Sequence, residues 1–212
     1  MMETNNIFLT SSVNYVAHDI HRFLRKSPKD LGLVFIDTAA EVEKGDLQWL
    51  KEDRKALVKA GFNVSDFTIS GKSEKDIRSR LDNIDIIYFS GGNQFYLLEK
   101  IQESSCSQLI YNYIKNGKVY IGCSAGSIIA GPDIYITRFI DEISNASKLK
   151  SYKGLGLVDF VVFPHWGSKD FREIYLNERL RNSYNQKNKI ILLTDYQYVR
   201  VKDDWYRIVD VK

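Results

Sequence analysis

The chain has 212 residues, 44% hydrophobic and 27% charged, with 30 basic against 27 acidic side chains and a net charge of +3. That size suits one domain, residues 1–212, with a substantial core, and so small a charge excess gives no nucleic-acid or membrane signal. No run of 18 apolar residues exists to span a membrane, the N-terminus lacks the regions of a signal peptide, and Cys106 and Cys123 make no disulfide framework, so the cytoplasm is the expected compartment.

Asn5–Thr10 reads as a first strand, and Val13, Val16, Ala17, Ile20 and Leu24 recur at helical spacing after it. Gly32–Ala40 is a nearly continuous apolar run, as expected of a strand buried on both faces. A helix over Leu47–Ala60 follows, closed by Gly61, and then a strand over Phe62–Ser70. Ser73 with Asp76 three residues on resembles a capping arrangement for a helix through Leu81. Ile84–Ser90 is another buried strand and runs directly into Gly91-Gly92-Asn93. Helices over Gln94–Gln102 and Ser104–Asn116 lead to the apolar run Val119–Ile121.

That run enters Gly122-Cys123-Ser124-Ala125-Gly126, a G-x-S-x-G pattern in the strand–turn–helix context of a nucleophile elbow. The glycines permit a sharp turn, so the Ser124 hydroxyl projects from the top of a sheet. The helix that starts there aims its first N–H groups, Ala125 among them, at an oxyanion formed on the serine. Cys123 is a rival nucleophile in principle, but Ser124 holds the central position and Cys123 is expected to point into the sheet.

An irregular stretch, Asp133–Lys153, precedes the strand Phe160–Phe163, a helix over Asp170–Tyr184 and the strand Lys189–Thr194. The runs Tyr198–Val201 and Trp205–Val209 flank a polar turn and read as a terminal hairpin. Strands alternating with helices predict a three-layer α/β fold, a mostly parallel sheet with helices on both faces. Sites in such sheets form at strand carboxyl ends, where Gly91-Gly92-Asn93, Ser124 and Pro164-His165 all fall. One sheet edge is therefore expected to gather a glycine loop, a serine and a histidine.

Of the three histidines, His165 alone is well placed to act as base to Ser124; His18 and His21 share a helix face with no third metal ligand indicated. The acid that orients His165 has several candidates. Asp133 follows the elbow helix too closely, Asp159 precedes its strand, and Asp170 lies near His165. Asp141 and Glu142 lie in the irregular segment within reach, and spacing does not separate them. Gly92 is a candidate second oxyanion donor, and the loop is no phosphate cradle, because neither nucleotide-binding glycine pattern is present.

Together, SGGNQFYLL (Ser90–Leu98), IGCSAGSIIAGP (Ile121–Pro132) and FPHW (Phe163–Trp166) resemble the peptidase E family of serine peptidases, the aspartyl dipeptidases to which cyanophycinases are related. The resemblance spans most of the chain. It implies a class I glutamine-amidotransferase-like fold, a Ser–His–Asp/Glu triad, no metal or organic cofactor, and hydrolysis of short peptides, in the best-known members dipeptides with N-terminal aspartate. By motif position Ser124 resembles the nucleophile, His165 the base, Asp141 the acid with Glu142 second, and Gly92 and Ala125 the oxyanion donors. Asn93 and Arg172 are the expected substrate contacts, Arg172 as a stand-in for the family's arginine because a guanidinium suits a substrate carboxylate, with Lys169 a weaker substitute. The chain departs from the family after His165, where a longer loop with a Gly-Glu-x-Arg-like stretch is shortened here, and this weakens the aspartate expectation. The alternatives are hydrolysis of another amide or isopeptide bond, or a ligand-binding member of the fold without catalysis. Aromatic residues such as Tyr152 and Tyr184 hint at an interface of a homodimer.

Overall fold

The computed structural model describes residues 6–184 and 187–211; residue 5 of the first expected strand lies outside them. The main sheet has seven strands in the order β3-β2-β4-β5-β1-β8-β9. Its parallel part is built from β1 (Asn6–Thr10), β2 (Gly32–Ile36), β3 (Asn63–Phe67), β4 (Ile86–Phe89) and β5 (Val119–Cys123). The terminal hairpin, β8 (Gln197–Lys202) and β9 (Trp205–Asp210), continues the sheet antiparallel along β1. The apolar run from Gly32 stops being a strand at Ile36, and Thr38–Ala40 forms a single 3-10 turn.

Strand alternation divides the core between the two faces. Phe8, Phe35, Tyr88 and Ile121 point to one face, which α1 (Val13–Ile20) and α2 (Gln48–Lys59) cover with Val13, Val16, Ala17, Ile20 and Leu57. Ile7, Leu9, Val34, Ile36, Ile87, Phe89 and Tyr120 point to the other. There they meet α3 (Glu74–Leu81), α4 (Gln94–Glu103), α5 (Ser107–Lys115) and α6 (Ala125–Ile128). Burial on both faces is why β2, β4 and β5 read as unbroken apolar runs. The Ser73–Asp76 capping box starts α3, and Gly61 takes the left-handed φ of +98° behind α2. No helix of the described residues is long and apolar enough to cross a membrane.

One expectation about placement changes. β6 (Phe160–Phe163) and β7 (Lys189–Leu192) do not join the main sheet but pair in parallel as a separate two-stranded sheet. Every β6 side chain is buried in the α3–α6 side of the core, so the small sheet caps that helical layer. The helix expected over Asp170–Tyr184 is three short pieces: α7 (Arg172–Ile174), a π-helical turn (Tyr175–Arg179) and α8 (Leu180–Ser183). A π turn rotates later side chains relative to a regular helix, and it turns Arg179 inward.

Candidate active site

The elbow is built by close backbone approach. Ser124 holds φ 46° and ψ −106°, a strained conformation for a residue with a side chain. A Cβ on Gly122 would lie 2.6 Å from the carbonyl carbon of Gly126, and one on Gly126 would lie 2.3 Å from the Phe89 carbonyl oxygen. Both glycines of the pattern are thus required by packing rather than by flexibility alone. Ser127 and Ile128 donate their N–H groups to the Ser124 carbonyl and start α6 directly behind the serine.

His165 leaves the carboxyl end of β6 through Pro164 and adopts φ 63°. Its Nε2 lies 3.2 Å from Ser124 Oγ, and its ring stacks on Phe171 at 5.2 Å between centroids. Nδ1 lies 2.7 Å from Oδ1 of Asp195, which follows β7. The parallel register Phe163↔Leu192 makes the two strands end together, and Trp166 N–H donates to the Leu193 carbonyl to hold the two exits side by side. Burial opposes ionisation of Asp195, but the hydrogen bond and charge of His165, with the Ser11 hydroxyl, outweigh it and hold the carboxyl below its ordinary range.

Asp141 and Glu142, the expected acids, are not on the imidazole. Asp141 lies near the start of α4, where the Gln94 N–H favours its ionised form, and Glu142 is exposed, its carbonyl taking the Asn93 side-chain amide at 3.0 Å. This segment is strapped to a helix N-terminus, whose unpaired N–H groups attract a carboxylate. Burial pushes the Asp141 carboxyl up to about 7, and Glu43 pushes the same way, against Arg179, the Gln94 N–H and His165.

Asn93 is also corrected. It is 2% exposed, its Oδ1 caps α4 by accepting from Phe95 and Tyr96 N–H, and its amide donates to the Glu142 carbonyl, so the side chain serves the helix start and is absent from the pocket lining. Arg172 is exposed at the first position of α7, outside the pocket lining. The guanidinium in the lining is that of Arg179, 4% exposed, which donates to the Phe139 and Ile140 carbonyls and lies over Phe171 and Tyr175.

The glycine loop does sit against the nucleophile. A Cβ on Gly91 would lie 3.4 Å from Ser124 Cβ, and Gly92 holds φ +120° where a Cβ would meet the Ala39 carbonyl oxygen at 2.2 Å. Among the described residues, neither the Gly92 nor the Ala125 N–H is given to a backbone carbonyl. Cys123 points down into the sheet, its Sγ 3.3 Å from the buried Asp53 carboxylate, and burial with that neighbouring charge raises its thiol well above the usual range. Ser124, His165, Gly91, Gly92, Asp141 and Arg179 share the lining of one cavity of ≈ 500 Å³.

Comparison with known proteins shows the family of the chain. The family model for Peptidase family S51 matches residues 7–209. The chain belongs to peptidase family S51. It is 32% identical over 197 residues to the uncharacterized peptidase Lmo0363 of Listeria monocytogenes, covering 93% of this chain and 94% of that one. Peptidase E of Streptomyces coelicolor is more distant, 29% identical over 71% of this chain and 61% of its own. The crystal structure of a putative peptidase E protein from Listeria monocytogenes superposes with a TM-score of 0.89 at 29% identity, covering 99% of this chain and all of the other. As an S51 member the chain is a serine peptidase with the class I glutamine-amidotransferase-like fold.

The carboxyl group bonded to His165 was not among the acids expected from the sequence, but a signal for it existed. Asp195 stands directly beyond the run expected to end at Thr194 and three residues beyond the observed end of β7, much as His165 stands two residues beyond β6 and Ser124 one beyond β5. The strand-end rule that selected the serine and the histidine selects this aspartate as well.

Proposed function

We propose that this S51 peptidase hydrolyses short peptides with Ser124 as nucleophile, His165 as base and Asp195 as the orienting acid. The observation that carries this reading is the unbroken line from Ser124 Oγ to His165 Nε2 (3.2 Å) and from His165 Nδ1 to Asp195 (2.7 Å), at the wall of a glycine-lined pocket. An ionised carboxylate only accepts, so the imidazole proton sits on Nδ1 and leaves Nε2 free to receive the serine proton. Ser124 Oγ attacks the scissile carbonyl while Nε2 takes its proton. The carbonyl oxygen, now negative, is held by the N–H groups of Gly92 and Ala125. The imidazolium, steadied by Asp195, returns the proton to the departing amine, and water repeats the sequence to free the acid.

A cavity of ≈ 500 Å³ suits a substrate of a few residues. The expected preference for N-terminal aspartate rested on Arg172, and with Arg172 outside the lining that preference loses its carrier. The lining holds the carboxylates of Glu43, Asp53, Asp141 and Asp170 with Arg179, whose guanidinium is engaged by backbone carbonyls. We read the acyl-side residue as neutral or cationic.

The test is a panel of Asp-Leu, Glu-Leu, Ala-Leu, Lys-Leu and a β-aspartyl dipeptide, with Ser124→Ala as control and fluorophosphonate labelling in parallel. Serine-dependent cleavage of Ala-Leu or Lys-Leu ahead of Asp-Leu supports the whole reading. Cleavage confined to Asp-Leu overturns the specificity. Turnover that survives Ser124→Ala overturns the mechanism.

A further inference from the structure

The nucleophile belongs to the main sheet, whereas the base and acid belong to the small β6–β7 sheet. Two consecutive residues at the carboxyl end of β1 join them. The Thr10 carbonyl accepts the Ser124 N–H at 3.0 Å and the Ser127 hydroxyl at 2.7 Å, which fixes the elbow. Ser11, next in the chain and fully buried, turns its side chain the other way. Its Oγ lies 2.7 Å from Asp195 Oδ1, 2.7 Å from the His165 backbone nitrogen and 3.3 Å from His165 Nδ1.

Elementary donor counting assigns these bonds. The His165 backbone N–H can only donate, so Ser11 Oγ accepts from it; the Asp195 carboxylate can only accept, so the single hydroxyl proton goes there. Asp195 Oδ1 therefore receives two donors, the Ser11 O–H and the His165 Nδ1–H, which fixes the carboxylate about both bonds. The accepted N–H restrains His165 in a left-handed conformation that a residue with a side chain adopts only when its surroundings impose it.

We propose that Ser11 is a positioning residue of this peptidase site, holding the Asp195 carboxylate and the His165 backbone in register with Ser124 across the two sheets. The proposal rests on the triad reading. Ser11 touches no reacting atom and acts through the imidazole. Deleting its hydroxyl leaves the His165 N–H and one Asp195 lone pair without that partner in a buried site, and a misplacement on the ångström scale at a base is enough to lower turnover about 100-fold.

The experiment compares Ser11→Ala and Ser11→Thr with the wild-type full chain. Three quantities are read: kcat and KM on the best dipeptide of the panel, the rate of Ser124 labelling by a fluorophosphonate, and the low-field proton resonance of His165 Nδ1–H. Ser11→Ala is expected to lower kcat about 10- to 100-fold with KM held within about twofold, to slow labelling in step, and to broaden or shift the resonance. Ser11→Thr, which keeps the hydroxyl, restores most of each. A merely structural role would move the melting temperature and leave the resonance of the folded fraction in place. Unchanged kcat and resonance in Ser11→Ala overturn the proposal, as does equal loss in both variants. Should Ser11→Ala fail to fold, Ser11→Cys, close in volume but a weak donor, replaces it. If the wild type neither cleaves nor labels, the triad reading fails. The resonance still decides whether Ser11 orients the His165–Asp195 pair.

Discussion

Asp195 Oδ1 lies 2.7 Å from His165 Nδ1, although 30 residues and a whole helical excursion separate the two in sequence. Parallel pairing of β6 with β7 closes that distance, since both residues leave their strands at the same end. Asp141 is nearer to His165 in sequence, but its segment is held at the start of α4, where the Asn93 amide donates to the Glu142 carbonyl. The two aspartates should therefore respond differently to the same substitution. Asp195→Asn preserves shape but reverses the tautomer preference, and kcat is expected to fall about 10³- to 10⁴-fold. Asp141→Asn should lower kcat by less than about tenfold, because Asp141 does not bond the imidazole, and it should not destabilise the fold at neutral pH, since burial already disfavours the charge that it removes. Steady-state kinetics on one dipeptide with both variants checks this, and equal losses would return Asp141 to the triad.

The elbow glycines make a second, steric prediction. Gly126→Ala would place its methyl 2.3 Å from the Phe89 carbonyl oxygen, a backbone atom that cannot swing aside. Overpacking of this kind costs about 1–3 kcal/mol, and α6 and the end of β4 must move apart to relieve it. Since β4 also carries the Gly91-Gly92 loop, activity should fall further than the stability loss alone explains. Gly156→Ala, at a glycine with nothing within 4 Å of the added Cβ, is the control for backbone strain without a clash, as its φ is +62°. Urea denaturation and fluorophosphonate labelling of both variants separate the effects.

Asp53 supplies a pH-dependent prediction. It is 3% exposed on α2, and burial, outweighing its bonds to the Cys123 thiol, the Asn14 N–H and the Tyr88 hydroxyl, pushes its carboxyl up to about 6 from an ordinary 3.8. Between those values the native state keeps a proton that the unfolded chain has released. Stability from this group is thus complete below about pH 4 and declines as pH rises through 6, by roughly 3 kcal/mol in all. Asp53→Asn removes that decline. The melting temperature of the variant relative to wild type should climb steadily from pH 4 to pH 7, and a flat difference would show that Asp53 is ionised throughout.

The legible part of this chain was the part written in local pattern. G-x-S-x-G needs two close backbone approaches four residues apart, at Gly122 and Gly126, so the elbow declares itself, as do the apolar runs of β2, β4 and β5 and the polar turn of the β8–β9 hairpin. The acid was harder because triad geometry is a property of strand pairing. Nothing in the residues around Phe160 and Lys189 says that these two strands pair with each other rather than with the main sheet. Asn93 misled for a related reason: an asparagine after a glycine loop reads equally well as a ligand contact and as a helix cap, and only the position of Phe95 and Tyr96 N–H decides. Arg172 and Arg179 sit seven residues apart on what reads as one helix, and the π turn between them decides which one faces inward.

That last pair can be tested directly. Arg179 has its guanidinium packed over Phe171 and Tyr175, donates to the Phe139 and Ile140 carbonyls, and faces Asp141, whose ionisation it favours. Phe171 in turn stacks on the His165 ring. Replacing the planar fork by an ammonium keeps the charge but cannot serve two carbonyls while lying flat on two rings, so Arg179→Lys is not conservative here. The loss is expected to be about 2–4 kcal/mol of stability, because buried acceptors are left unpaired, with kcat reduced through the slackened Phe171–His165 stack. Arg172→Ala, at an exposed helix start, should stay within about 0.5 kcal/mol of wild type and leave KM for Asp-Leu and Ala-Leu alike. Urea midpoints and the two KM values decide the matter. A selective rise in KM for Asp-Leu in Arg172→Ala would restore this arginine as the aspartate contact.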